Sequence, residues 1–147
     1  GAQGSSDTRS FGWQNTGVAN FTLAAGNYKI SFNANITAWG RVYSGNPTKS
    51  LEAGVSYRMV NVSTGIAFAT AGDGRSTYSG CNVRGVGEHS AGGNFFGDSG
   101  FVAVPAGTYR LEVRGESNFG GCSSGGSDQW AGCGPSVNSG TLNIIRQ

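Results

Sequence analysis

The chain has 147 residues, of which 27 are glycine and only 12 % are charged, and its formal net charge is +2. This length suits one domain with a single core, and the composition favours short strands joined by turns over helices. No run of roughly 18 apolar residues is present, so we expect no membrane insertion. The ten basic residues are scattered singly, whereas nucleic-acid-binding domains cluster them, so we expect no nucleic-acid partner.

The first residues differ from the rest of the chain. Residues 1–8 are polar and are interpreted as a flexible lead-in, the end of a stalk or a cloning remnant. Their letters GAQ-GSS can be divided into two Gly-X-Y triplets, the spacing of a collagen stalk. Residues 9–147 are then a single β-sandwich domain, with strand-like segments at 11–14 and 18–23.

A motif that occurs twice is the strongest structural signal. Residues 21–32 read FTLAAGNYKISF and residues 102–113 read VAVPAGTYRLEV. After the Ala-Gly turn, apolar and polar residues alternate in both copies, which predicts two strands that each bury one face. The glycines are expected to supply backbone freedom at the turn. We interpret the copies as equivalent strands in two halves of one domain.

The segment after the first motif strand places Trp39, Arg41 and Tyr43 at alternate positions before a turn at Asn46-Pro47. Alternate residues of a strand share a face, so these three side chains form either the edge of the core or a contact surface. Residues 51–62 and 66–70 are predicted to form a hairpin.

The second half of the chain is richer in glycine and serine. Residues 71–80 are predicted to be a loop or a short strand and the sequence GEHSAGGN a loop, with strands at 81–86 and 95–104. Residues 117–139 are predicted to form one long loop, and GTLNIIRQ to be the last strand. About 8–10 short antiparallel strands at this spacing predict an all-β jelly-roll sandwich.

The three cysteines leave several pairings open. Cys122 and Cys133 enclose the tip of the predicted loop, so we expect a bridge between them that orders the loop. Cys81 is then expected to be buried and free. The single histidine, His89, cannot complete a zinc site with cysteines at these spacings, so no metal is expected.

The residues offer little for catalysis. Gly97-Asp98-Ser99-Gly100 has the letters that surround a serine-protease nucleophile, but His89 lies only ten residues before Ser99 and no acid is placed to orient it. We interpret these four residues as a turn or bulge. No pair of carboxylates has the pattern of a glycosidase, so the protein is expected to have no enzymatic activity and no cofactor.

Four segments taken in order resemble a known family: FTLAAGNYKISFNA, YRMVNVSTGIAFATAG, FVAVPAGTYRLEV and GTLNIIR. They are similar to the C1q/TNF-like jelly-roll heads at the ends of bacteriophage tail fibres. The resemblance implies a homotrimeric virion component that attaches to a bacterial surface polysaccharide or outer-membrane protein. The alternatives are a carbohydrate-binding module or lectin domain of a secreted bacterial protein, and a structural C1q-like domain on a collagen stalk.

Ligand-binding residues are expected in two patches, because loops on rigid scaffolds usually supply recognition. Aromatic rings pack against the apolar faces of sugars, while amides, carboxylates and Arg bind the hydroxyls. The first patch is the tip of the predicted long loop and its flank, namely Trp130, Asp128, Gln129, Asn118 and Phe119. The second is Trp39, Arg41 and Tyr43. Both follow the repeated strands, so we expect them at one end of the sandwich.

Overall fold

The computed structural model describes residues 7–45, 48–72, 76–77, 81, 83–123 and 129–147, with only the backbone described at 7–8, 76–77, 83, 121, 123 and 129–133. Within these ranges all regular structure is β-strand, which confirms the all-β prediction. No helix there has the length and hydropathy of a membrane span. In chain order the strands are β1 (Asp7–Asn15), β2 (Phe21–Leu23), β3 (Gly26–Ser44), β4 (Thr48–Asn61), β5 (Ala67–Ala71), β6 (Ser76–Thr77), β7 (Val83–Arg84), β8 (Gly87–Asp98), β9 (Val102–Val104), β10 (Gly107–Ser123) and β11 (Gln129–Arg146).

The strands form two antiparallel sheets packed as a sandwich. Sheet A has seven strands: β1, β10, β4 and β5 are neighbours in that order, β2 also pairs with β10, and β6 and β7 pair with β4. Sheet B has four strands: β11, β3 and β8 in order, with β9 beside β3. This agrees with the predicted jelly-roll-like sandwich, although four strands are much longer than expected, at 14 to 19 residues.

The two copies of the motif occupy equivalent places in the two sheets. The first copy begins β3 and the second begins β10. The short strand before each copy pairs with the strand of the other copy: Val104 of β9 lies opposite Gly26, and Leu23 of β2 lies opposite Gly107. The expectation that the copies are equivalent strands in two halves of one domain is therefore confirmed.

The motif tyrosines make the same contact in both copies. Tyr28 donates its hydroxyl hydrogen to the carbonyl oxygen of Ala24 at 2.8 Å, and Tyr109 donates to the carbonyl of Pro105 at 2.5 Å. Each tyrosine reaches back four residues and fastens the incoming chain to the strand that follows. Because both rings are buried, each bond also satisfies a hydroxyl group that would otherwise destabilise the core.

The motif glycines do not supply backbone freedom, so that expectation is wrong. Neither Gly26 nor Gly107 has a positive φ. A Cβ atom on Gly26 would lie 2.9 Å from the guanidinium of Arg146, and one on Gly107 would lie 2.8 Å from the carboxamide nitrogen of Asn61. In both copies the end of a side chain from elsewhere in the fold lies close to the position of a Cβ. The neighbour of Gly107, Asn61, is buried, whereas Arg146 beside Gly26 is exposed.

Apolar residues on the inner faces of the two sheets form one core. Alternate residues of β3 point inward, and the same pattern in β4 and β10 supplies the opposite wall. The largest fully buried apolar side chains, at 0 or 1 % exposure, are those of Tyr109, Phe119, Ile30, Ile36, Leu51, Met59, Val42, Val55 and Val60.

Two segments that were predicted as loops are strands. The sequence GEHSAGGN lies within β8, and most of 117–139 belongs to the end of β10 and the start of β11. Glycine has no side chain, so a glycine-rich strand lacks the alternation by which strands are recognised, although its backbone pairs normally. Gly97 illustrates the requirement for glycine, since a Cβ there would lie 2.2 Å from the ring of Phe32.

The disulfide joins Cys81 to Cys122, with Cα atoms 6.0 Å apart, so the predicted bridge between Cys122 and Cys133 is wrong. Cys81 is also exposed rather than buried and free. The reason lies in strand pairing: β7 begins two residues after Cys81 and pairs with the start of β4, and the end of β10, where Cys122 lies, pairs with the same part of β4. The side chain of Cys133 lies outside the described residues.

Candidate functional site

The outward-pointing residues of β3, β8 and β11 form a surface that we call the outer face of sheet B. Trp39, Arg41 and Tyr43 lie at one end of it, with 38 % of Trp39 and 58 % of Tyr43 exposed. The guanidinium carbon of Arg41 is 5.7 Å from the centroid of the Tyr43 ring. The prediction that these side chains share a face is confirmed, and that face is a surface rather than the edge of the core.

A third exposed aromatic ring lies further along the same face. Phe96 of β8 is 70 % exposed and lies opposite Asn33 of β3. Trp39 is six residues from Asn33 on β3, so the two aromatic positions are about 20 Å apart. Phe96 was not predicted as a site residue, because the predicted strand begins at 95 whereas β8 begins at Gly87. The adjacent Phe95 is half-buried on the inner side.

Between the aromatic positions, three strands contribute a row of hydrogen-bonded polar side chains. Asn35 donates from its carboxamide to Asn94 at 3.3 Å and accepts a hydrogen bond from Asn138 at 3.0 Å. Asn138 also donates to the Thr37 hydroxyl at 2.8 Å and accepts from Ser136 at 3.3 Å. The row fixes the orientation of its amide groups before any ligand arrives.

The polar row borders a shallow depression of about 320 Å³. The described residues of its lining are polar or small: Asn33, Asn35, Asn94, Ser139, Gly140 and Thr141. The carboxamide nitrogen of Asn94 and the whole carboxamide of Asn33 make no hydrogen bond to any described residue. These groups are therefore available to the hydroxyl groups of a ligand.

The opposite end of the outer face is closed by an ion pair. Lys29 lies 3.2 Å from Asp98 and 5.0 Å from the centroid of the Phe101 ring. The backbone N–H of Gly100 and the ammonium group of Lys29 both favour the ionised carboxylate, which lowers the pKa of Asp98. These two charges compensate each other. The polar row in the middle of the face consists of uncharged amides and hydroxyls, so it offers neutral hydrogen-bonding groups.

The first predicted patch is only partly described. The backbones of Gln129 and Trp130 lie at the start of β11, opposite Ser44 and Val42 of β3. Their side chains, and the whole of Asp128, lie outside the described residues. The register nevertheless confirms that the start of β11 and the Trp39–Tyr43 segment lie at one end of the sandwich.

Phe119 and Asn118 do not belong to this surface, and the prediction for Phe119 is wrong. Phe119 is 1 % exposed, and its ring fills the space where a Cβ of Gly40 would otherwise be, 2.3 Å away. Asn118 alternates with Phe119 and so lies on the outer face of sheet A, across the sandwich from Trp39. Both residues belong to a regular strand and not to the predicted loop.

The outer face of sheet A has a different chemistry. The guanidinium carbons of Arg58 and Arg114 lie 4.2 Å and 4.9 Å from the centroid of the Trp13 ring. Glu112 accepts from Arg58 with one carboxylate oxygen and from Arg110 with the other, each at 2.9 Å. Burial opposes ionisation of Glu112, but the two arginines outweigh it and lower its pKa. The described ion pairs of Glu112 on this face are therefore formed within one chain.

The Gly97–Gly100 segment has the structural role that was predicted. Asp98 accepts a hydrogen bond from the backbone N–H of Gly100 at 2.8 Å, and Ser99 accepts one from the N–H of Ile30 at 2.9 Å. His89 instead contacts the carbonyl oxygen of Gly85. Among the described residues, no three His, Cys, Asp or Glu side chains are close enough together to hold a metal ion.

No protein-family model, curated protein or solved structure matches this chain. The outer face of sheet B is thus characterised by its own chemistry, which is that of a polar, hydrogen-bonding surface with an aromatic group near each end.

Proposed function

We propose that this protein is a non-enzymatic recognition domain that binds a polysaccharide along the outer face of sheet B. The observation that carries the proposal is the ordered polar row of Asn35, Asn94 and Asn138 between two exposed aromatic positions, Trp39 and Phe96. Aromatic rings pack against the C–H faces of sugars, and fixed amides exchange hydrogen bonds with their hydroxyls. A surface about 20 Å long fits an extended oligosaccharide better than a single sugar.

The resemblance to phage heads extends this proposal. We propose that the domain is the receptor-binding head of a bacteriophage tail fibre or similar virion appendage. It would assemble as a homotrimer and attach to a bacterial surface polysaccharide or outer-membrane protein. The support is the order of the four similar segments and the jelly-roll-like sandwich. Each copy has one outer face of sheet B, so a homotrimer would present three such faces to a host cell.

A carbohydrate-binding module of a secreted bacterial protein is the second candidate. The same surface supports it, because three adjacent strands, β11, β3 and β8, bring the polar row and its flanking aromatic rings onto one side of a sheet. Molar mass in solution separates the two candidates. A trimer is expected at three times the 15.0 kDa of the chain, whereas a monomer would favour the module.

The binding proposal is tested with arrays of immobilised bacterial and plant polysaccharides, followed by calorimetric titration of any polysaccharide that binds. Trp39→Ala and Phe96→Ala are each expected to weaken binding about tenfold, because each removes an aromatic contact. Ile66→Ala is the matched control, since Ile66 is 56 % exposed in the turn between β4 and β5, away from the outer face. Equal losses in all three variants, or none in the first two, would contradict the assignment of this face.

A further inference from the structure

A second cavity lies inside the sandwich, at the side where β1 and β11 are the edge strands. It is a cleft of about 450 Å³ between the two sheets. Phe11 of β1 and Leu142 of β11 form its walls, and Leu111 and Val113 of β10 contribute to its floor. The volume falls in the range of small-molecule sites. Packed sheets are only about 10 Å apart, so the cleft is suited to a flat ligand.

The lining of the cleft determines the charge of its ligand. The described residues of the lining include no Lys, Arg, His, Asp or Glu, so among them neither a cation nor an anion would find a compensating charge. The polar groups are the side chains of Gln14, Thr16 and Thr141 and the hydroxyl of Tyr57. These groups can exchange hydrogen bonds with a carbonyl or hydroxyl, while the rest of the lining is apolar.

Tyr57 is the best-placed of these groups to orient a ligand. Its ring is held by the edge of the Phe32 ring, with centroids 4.8 Å apart. Its hydroxyl makes no hydrogen bond to any described residue, and burial raises its pKa, so it remains protonated and able to donate. Tyr57 is only half-buried and lines the cleft, so a ligand carbonyl there would accept a hydrogen bond from its hydroxyl.

We propose that this cleft binds an uncharged aromatic ligand whose ring lies between Phe11 and Leu142 and whose carbonyl or hydroxyl group accepts a hydrogen bond from Tyr57. The site is independent of the polysaccharide surface, although the two are neighbours. Gly140 and Thr141 line both the cleft and the depression on the outer face of sheet B. A ligand in the cleft would therefore contact β11 from inside the sandwich, at the residues that also border the depression on its outer face.

Benzamide is the probe for a first test, because it combines one ring with one uncharged carbonyl group. Saturation-transfer NMR and titration are expected to show saturable binding, with benzoate and benzamidine at least tenfold weaker because both are charged. Val113→Trp fills the floor and Gln14→Trp covers the mouth, and each is expected to weaken benzamide binding at least tenfold. Tyr57→Phe keeps the ring packing and is expected to weaken binding several-fold.

Ile66→Trp, in the exposed turn between β4 and β5, is the control and is expected to bind benzamide like the unaltered protein. Thermal unfolding establishes that each variant is folded, and Gln14→Trp is the variant least disturbing to the core because Gln14 is exposed. Three results would overturn the proposal: no saturable binding of benzamide, equal binding of benzoate, or unchanged affinity in folded Gln14→Trp and Val113→Trp. Unchanged affinity in Tyr57→Phe alone would overturn the assigned hydrogen bond.

Discussion

The two outer faces of the sandwich both combine aromatic rings with guanidinium groups, but the rings have different surroundings. On sheet A, Trp13 lies against Arg58 and Arg114, and the carboxylate of Glu112 is shared between Arg58 and Arg110. On sheet B, Trp39 and Phe96 are exposed and flank amides that keep unused hydrogen-bonding groups. The same residue types therefore stabilise the fold on one face and remain available to a ligand on the other.

The largest expected effect concerns a residue that belongs to neither face. Phe119→Ala should lower the free energy of unfolding by about 3–5 kcal/mol, because it empties a fully buried space between the sheets. Phe96→Ala, at an exposed position, should change it by no more than about 0.5 kcal/mol. Urea denaturation of both variants makes the comparison. Similar losses in the two variants would show that the assignment of core and surface is wrong.

The Cys81–Cys122 disulfide links two segments that both pair with the start of β4, so its removal measures how much this link stabilises the fold. Replacing both Cys81 and Cys122 with Ser should lower the free energy of unfolding by about 4 kcal/mol, because a closed loop of 41 residues is opened in the unfolded chain. Peptide mapping without reduction should recover the Cys81–Cys122 pair. Recovery of a Cys122–Cys133 pair instead would contradict the strand pairing, and Cys133→Ser is the matched control.

The two tryptophans give the most direct comparison of the faces. Trp13→Ala should cost about 1–2 kcal/mol of stability through its two cation–π contacts, while polysaccharide affinity stays unchanged. Trp39→Ala should have the opposite effect, with about tenfold weaker binding and little loss of stability. Denaturation and titration on the same protein samples measure both. If Trp13→Ala weakens binding more than Trp39→Ala, the ligand binds to sheet A.

The loss of stability expected for Glu112 is similar in size to that for Trp13, and it depends on pH. Glu112→Gln should lower stability at pH 7 by about 1–2 kcal/mol, because two charge-assisted hydrogen bonds are weakened. The pKa of Glu112 is lowered on folding, so its contribution is present above the unfolded value of about 4.3 and is lost as the pH falls through the folded value. The difference between variant and unaltered protein should therefore shrink on acidification.

Stability measured from pH 7 down to pH 3 tests this dependence. The control is Glu88→Gln, because Glu88 is exposed on β8, and it should have an effect within about 0.5 kcal/mol. A difference between Glu112→Gln and unaltered protein that stays constant over this range would show that the ion pairs contribute nothing that depends on ionisation.

Much of the fold was predictable because it follows from local patterns. The alternation after Gly26 and Gly107 identified two central strands, and the spacing of Trp39, Arg41 and Tyr43 placed these three side chains on one face of a strand. These signals depend only on the period of a strand, which a single sequence contains. The predicted patch of Trp39, Arg41 and Tyr43 accordingly lies on the outer face of sheet B, beside the polar row.

Other features depended on which strands become neighbours, and a single sequence does not contain that information. Cys122 meets Cys81 because β7 and the end of β10 both pair with β4, although Cys133 is closer in sequence. Phe119 is a core residue because the glycine-rich residues around it extend β10, which points its ring inward against Gly40. The polar row on sheet B likewise exists only because β11, β3 and β8 are adjacent.

The sequence by itself determined an all-β sandwich, the two equivalent strands and the shared face of Trp39, Arg41 and Tyr43, since each follows from alternation along single segments. Only the tertiary structure decided which aromatic residues are buried, which cysteines pair, and which distant asparagines share hydrogen bonds. The physical reason is that pairing between strands joins residues far apart in the chain, and its register is set by the packing of the whole core.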